Sequence, residues 1–195
     1  MKSLDQIYKQ IKNHPTNHWA ESINYEPIYS VSTKSKIILI SQAPGRVSQN
    51  KNKAWVDVSG NTLRDWLGVT KDEFYNLDNF AVLPIDFYYP GRGKSGDLPP
   101  RKDFAPLWHP QILEQLKNVQ LIVLIGNYAQ KYYLFGISKF SLTENVRSYA
   151  NFLPRYFPIV YPSPLNLGWK KANPWFGTDV LPILKNTVRK IIDYS

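Results

Sequence analysis

Four short runs, residues 36–41, 80–87, 121–126 and 157–161, are dense in Ile, Val, Leu and Phe and show no clean polar–apolar alternation. A strand with one wet face alternates, whereas a strand covered on both faces has no reason to. The runs therefore predict a parallel sheet enclosed by helices. Helical spacing appears between them. Leu4, Ile7, Tyr8 and Ile11 mark a helix over 3–13, and Ser59-Gly60-Asn61-Thr62 opens one that Gly68 closes. Pro110 sits as a first-turn proline ahead of Ile112, Leu113 and Leu116, and further helices are expected over 127–135 and 179–192. Strands alternating with helices predict an α/β doubly wound sandwich. No repeat or composition break marks a second domain, so residues 1–195 are expected to form one, with 1–30 as an N-terminal helix and loop packed on it.

Composition narrows the chemistry. The sequence holds no cysteine, which excludes disulfides, thiolate nucleophiles and thiolate-held zinc or iron–sulfur clusters. Histidines 14 and 18 are four apart, but no carboxylate–histidine helix accompanies them, and His109 beside Pro110 reads as a packing residue. No cofactor and no metal are expected. The start of the sequence lacks a signal-peptide core and no stretch has the apolar length of a membrane span. A soluble, cytoplasmic protein without membrane contact, and a monomer, is the expectation. The formal charge of +9, from 24 Lys and Arg against 15 Asp and Glu, suits a polyanionic partner.

Two strands end in stiff corners. Residues 36–40 run into Ser41-Gln42-Ala43-Pro44-Gly45, and 156–160 run into Tyr161-Pro162-Ser163-Pro164-Leu165-Asn166. Proline fixes φ and glycine permits conformations closed to other residues. In open α/β sheets such turns, at the carboxyl ends of strands, are where ligands bind. Between them lie Trp55, which is either a stacking face or a core residue, and Asp57, which is either a water-activating carboxylate or a helix cap. The stretch 90–101 carries Arg92, Lys94 and Arg101 on a Gly- and Pro-rich loop suited to gripping a nucleic-acid backbone. Its Gly93-Lys94-Ser95 is no phosphate loop, because Tyr88 stands where the motif needs Gly and Leu98-Pro99-Pro100 forbids the following helix.

In order and spacing, the corners at 41–45 and 161–165 resemble the uracil-DNA glycosylase superfamily, whose first loop reads GQDPY, GEAPG or GINPG and whose last reads HPSPLS. Ala43 aligns the chain with the GEAPG type, with Gln42 in place of Glu, while 54–60 is similar to the PFVGPAG stretch. The resemblance implies a three-layer α/β sandwich around a four-stranded parallel sheet. The implied activity is hydrolysis of the N-glycosidic bond of a flipped deoxyuridine, or a related deaminated nucleotide, in DNA. Catalytic positions would be Gln42, Ala43, Asp57 and Tyr161, and base-binding positions Pro44, Gly45, Trp55 and Asp86. DNA would meet Arg92, Lys94, Ser163, Leu165 and Lys170, with Leu165 as the wedge that fills the vacated stack. Three departures stand out. Tyr161 replaces the usual His, Ala43 brings no carboxylate, and Asp86 is the only polar side chain on 80–89 that could reach a base. They leave a second reading open, a weak or inactive member that binds DNA or senses damage.

Overall fold

The computed structural model describes residues 2–194. Strands β1 (Ile37–Ile40), β2 (Phe80–Val82), β3 (Leu121–Ile125) and β4 (Tyr156–Ile159) form one sheet in the order β2-β1-β3-β4, every neighbouring pair parallel. Among the described residues, ten α-helices surround it: α1 (Leu4–Lys12), α2 (His18–Glu21), α3 (Arg46–Asn50), α4 (Val58–Leu67), α5 (Lys71–Tyr75), α6 (Phe104–Leu113), α7 (Gly126–Tyr133), α8 (Leu142–Arg147), α9 (Leu167–Ala172) and α10 (Leu181–Tyr194).

The strands carry no polar alternation because both of their faces are buried. Ile37, Leu39, Val123, Ile125, Phe157 and Ile159 join one apolar cluster with Leu63 and Trp66 of α4 and Leu184 and Val188 of α10. Their neighbours Ile38, Ile40, Ile122 and Leu124 point the other way, onto Ile7 and Ile11 of α1 and Trp108 and Ile112 of α6. The result is three layers, helix on sheet on helix, as the sequence predicts.

Five short helices, α2, α3, α5, α8 and α9, are not read from the sequence, and two of the elements that are read differ in their bounds in ways that bear on the site. The second strand ends at Val82 rather than Phe87 because Pro84 has no N–H to give. The chain nevertheless stays beside β1: the N–H groups of Leu83, Ile85 and Asp86 donate to the carbonyls of Leu39, Ser41 and Gln42 at 2.9, 2.8 and 3.1 Å. Pro110 lies inside α6 rather than opening it, and the first turn instead holds Pro106.

His109 on α6 is buried, as the packing reading expects. Its Nε2 lies 2.9 Å from the Pro84 carbonyl and its Nδ1 2.6 Å from the Tyr133 hydroxyl. A carbonyl only accepts, so Nε2 carries the proton and Nδ1 accepts from Tyr133. Burial pushes this imidazole down from 6.5 to about 4. The unfolded chain then binds more protons than the folded one between those values. Stability is fully present above pH 6.5 and falls as pH drops toward about 4, by roughly 3 kcal/mol for this group. Urea titrations at pH 7 and pH 4.5 should show that loss, and His109→Phe should remove most of the difference between them.

Candidate active site

The sheet order sets the place of the site. From β1 the chain moves to β2 on one side, then returns to lay β3 on the other, so the crevice at the carboxyl ends of β1 and β3 is the topological switch point. The corner after β1 lies on this crevice directly. The corner after β4 has to reach across the end of β3. Gly126 turns the chain at the end of β3 with φ of +83°, a left-handed conformation that favours glycine, and the Tyr161 side chain lies at contact distance beside it. Tyr161 thus packs over the end of β3 toward β1.

The cleft that results is lined by Ala43, Pro44 and Gly45 of the first corner, Trp55, Asp57 and Tyr161, with Ser41 and Ser48 also on its wall. Ile28, Ala54, Val82 and Pro84 make its apolar side. Trp55 and Tyr161 touch each other, ring centroids 5.6 Å apart and planes 34° apart. The free interior volume is about 20 Å³, room for about one water molecule. A nucleobase enters only if this aromatic contact or the adjoining loops give way, because the cleft is narrower than an everted base requires.

Trp55 is both candidate things at once, a buried residue and a wall of the cleft. Its backbone is left-handed, φ +59°, which a bulky residue adopts only when its surroundings hold it there. The holding groups were not legible in the sequence. Arg64 of α4, buried despite its charge, donates to the Trp55 carbonyl at 3.0 Å, and the Tyr75 hydroxyl lies 3.1 Å from the same oxygen. Gly60 completes the socket: a Cβ there would fall 1.9 Å from that carbonyl oxygen. Arg64 is itself held by Asn61 at 2.6 Å and lies over the rings of Phe74 and Tyr75.

Asp57 also has two tasks. It caps α4, one carboxylate oxygen accepting from the Gly60 N–H at 3.0 Å. Its second oxygen has no hydrogen-bond partner among the described residues, and the side chain lines the cleft. Tyr161 is held through its backbone, its carbonyl accepting from the Ser163 N–H at 2.8 Å and the Asn166 side chain at 2.7 Å. Its hydroxyl has no protein partner among the described residues. Burial, with the Asp57 and Asp97 carboxylates adding to it, pushes this phenol well above its usual value of 10. The group is a neutral O–H donor at any working pH.

Two expected pocket residues lie elsewhere. Gln42 is outside the cleft lining; its side-chain amide donates to the Leu98 carbonyl at 3.0 Å and holds the Gly-rich loop. Asp86 is also outside the cleft lining, and its carboxylate is engaged by other protein groups. Arg101 grips it through Nε and Nη2, both at 2.7 Å, and the backbone N–H groups of Tyr88 and Arg101 add bonds of 3.1 and 3.2 Å. Arg101 in turn bonds the Thr16 carbonyl and the Asn17 side chain, so this half-buried residue is a cross-link to the N-terminal segment rather than a free clamp on phosphate.

The residues assigned to DNA stand at the surface. Leu165 is 93% exposed on the turn Pro164–Asn166, whose start Ser163 caps by accepting from the Leu165 N–H at 3.1 Å. Arg92 and Lys94 are exposed on a small hairpin, where Arg92 faces Asp97 at 3.8 Å. Lys170 lies in the last turn of α9, 5.9 Å from the Trp66 ring centre. Its neighbour Trp169 turns inward and donates to the Thr143 hydroxyl at 2.9 Å.

The family model described as Uracil DNA glycosylase superfamily matches residues 28–185, which is most of the chain and contains the whole cleft. The chain belongs to the uracil-DNA glycosylase superfamily. Its four-stranded parallel sheet and flanking helices are the fold expected of this superfamily. Among the described residues no cluster of three or more His, Asp or Glu forms a metal site, and no helix is long and apolar enough to cross a membrane.

Proposed function

We propose that this superfamily member hydrolyses the N-glycosidic bond of uracil, or a related deaminated base, in DNA by everting the nucleotide into the cleft. The observation that carries the reading is the pairing of two unspent groups on one wall system: the Tyr161 hydroxyl and the second carboxylate oxygen of Asp57, both beside Trp55. In the step itself the bond from C1′ of the sugar to the base nitrogen breaks, and its electron pair leaves with the base as an anion. Tyr161 donates a hydrogen bond to a carbonyl oxygen of that base as the charge develops. Asp57 accepts the proton of the water that attacks C1′ from the cleft, leaving an abasic site. The first corner's backbone lies against the base edge and Trp55 supplies the stacking face. Leu165, on its exposed turn, fills the gap in the base stack, and Arg92, Lys94, Ser163 and Lys170 contact the backbone.

The test is direct. A uracil-containing oligonucleotide incubated with the protein should acquire an alkali-labile abasic site, and parallel strands carrying hypoxanthine, xanthine or mismatched thymine identify the preferred base. One observation favours the rival reading of a DNA-binding member without turnover: the cleft holds only about 20 Å³. Salt-sensitive DNA binding with no base released from any of these strands would select that reading.

A further inference from the structure

A groove beside the Gly-rich hairpin is not part of the base cleft. It has a free volume of about 610 Å³, against about 20 Å³ in the cleft, and lies within the range of ligand sites. One side is made by Trp19 of α2, Ile23 and Tyr25, the other by Tyr89, Leu98 and Pro99. Trp19 and Ile23 are 43% and 51% exposed and Leu98 44%, so apolar surface stands open to solvent here. Tyr88 lies on the floor. It is 1% exposed, yet its hydroxyl has no protein partner among the described residues and is not sealed from the groove. Beside it, Arg101 uses four of its five N–H donors on Asp86, Thr16 and Asn17. The floor therefore offers unspent donors and the walls offer aromatic faces.

The groove is joined to the first corner. Gln42 donates to the Leu98 carbonyl at 3.0 Å, and Gln49 of α3 accepts from the Tyr89 N–H at 2.8 Å. The hairpin that supplies Gly91 and Leu98 to its wall also carries the exposed Arg92, which faces Asp97 at 3.8 Å, and the exposed Lys94, on a chain of net charge +9. A ligand that fits has flat aromatic faces, acceptor atoms on its edge and a negative backbone. We infer that this groove takes an unpaired nucleobase of single-stranded DNA next to the everted nucleotide, stacked against Trp19 with its carbonyl edge toward Tyr88 and Arg101. The inference rests on the proposed action on DNA, and it adds a preference for single strands, because a paired base presents no free face.

The experiment uses fluorescence anisotropy with the full chain and oligonucleotides that contain no uracil, so binding is read without turnover. Trp19→Ala should weaken binding of a labelled ten-nucleotide thymine strand by roughly tenfold or more and leave duplex binding within twofold. Trp19→Phe should recover most of the loss, and melting temperatures of both variants check that the fold is intact. A strand with abasic spacers in place of its bases should bind more weakly and be insensitive to Trp19→Ala. Equal binding of the thymine strand by wild type and Trp19→Ala overturns the groove, as does an equal loss on duplex. Uracil release alongside unchanged binding by Trp19→Ala would refute the groove alone. A Trp19-dependent affinity without any base release would uphold the groove and refute the proposed hydrolysis.

Discussion

Asp86→Ala is expected to cost about 3–5 kcal/mol of folding stability, the largest loss of any single side-chain truncation in the loop region. The reason is the asymmetry of buried ion pairs. Asp86 is almost wholly buried and Arg101 only about one-third exposed, and each has given up water for the other. Removing the carboxylate strands the guanidinium, which keeps only Thr16 and Asn17 as partners, and also orphans the N–H groups of Tyr88 and Arg101. The end of the β2 run thereby loses its tie to Arg101 and, through it, to the N-terminal stretch around Asn17. Urea unfolding monitored by tryptophan fluorescence measures the loss. An apolar pair, Asp86→Leu with Arg101→Met, should cost far less than Asp86→Ala, since it leaves no buried charge behind. A loss below about 1 kcal/mol for Asp86→Ala would mean that the pair behaves as a solvent-screened surface bridge.

The second large effect concerns chemistry. Tyr161→Phe should reduce single-turnover base release by roughly a hundred- to a thousandfold, the usual result of removing one preorganised donor from a developing anion. The fold should not notice. The hydroxyl contacts no protein group among the described residues, and the ring that meets Trp55 and Gly126 is retained. Because burial and the neighbouring carboxylates hold the phenol protonated, the wild-type rate should show no alkaline limb from Tyr161 below pH 10. Loss of rate with unchanged melting temperature and unchanged DNA affinity identifies a transition-state role. An unchanged rate would assign the leaving base to some other donor.

Much of this was legible from residue types whose physical role is narrow. Continuous Ile, Val and Leu at 37–40 and 121–125 mark strands buried on both faces, and the prolines and glycines at 44, 45, 162 and 164 mark where they stop. The aromatic and acidic residues at 55 and 57 follow at short spacing, and they meet those corners in one cleft. The misreadings share a cause: partners distant in sequence. Asp86 faces the strand's ligand-binding end, yet Arg101, fifteen residues on, claims it with a geometry that no local pattern announces. Arg64 takes no part in the sequence reading, because its partner, the Trp55 carbonyl, lies nine residues back across the turn into α4. Pro84 hides inside an apolar run, ending β2 early while the backbone beyond it goes on bonding to the first corner. The groove around Trp19 draws its walls from residues 19–25 and 86–101, two segments whose neighbourhood only the fold reveals.

Whether an everted base enters between the two corners is tested most directly by photocrosslinking a strand that carries one 5-iodouracil, then mapping the modified residue by mass spectrometry. Crosslinks at Trp55 or Tyr161, competed away by unlabelled uracil-containing DNA, are what the account predicts. Crosslinks confined to Trp19, Tyr25 or Tyr89, with Trp55 and Tyr161 unmodified, would contradict it.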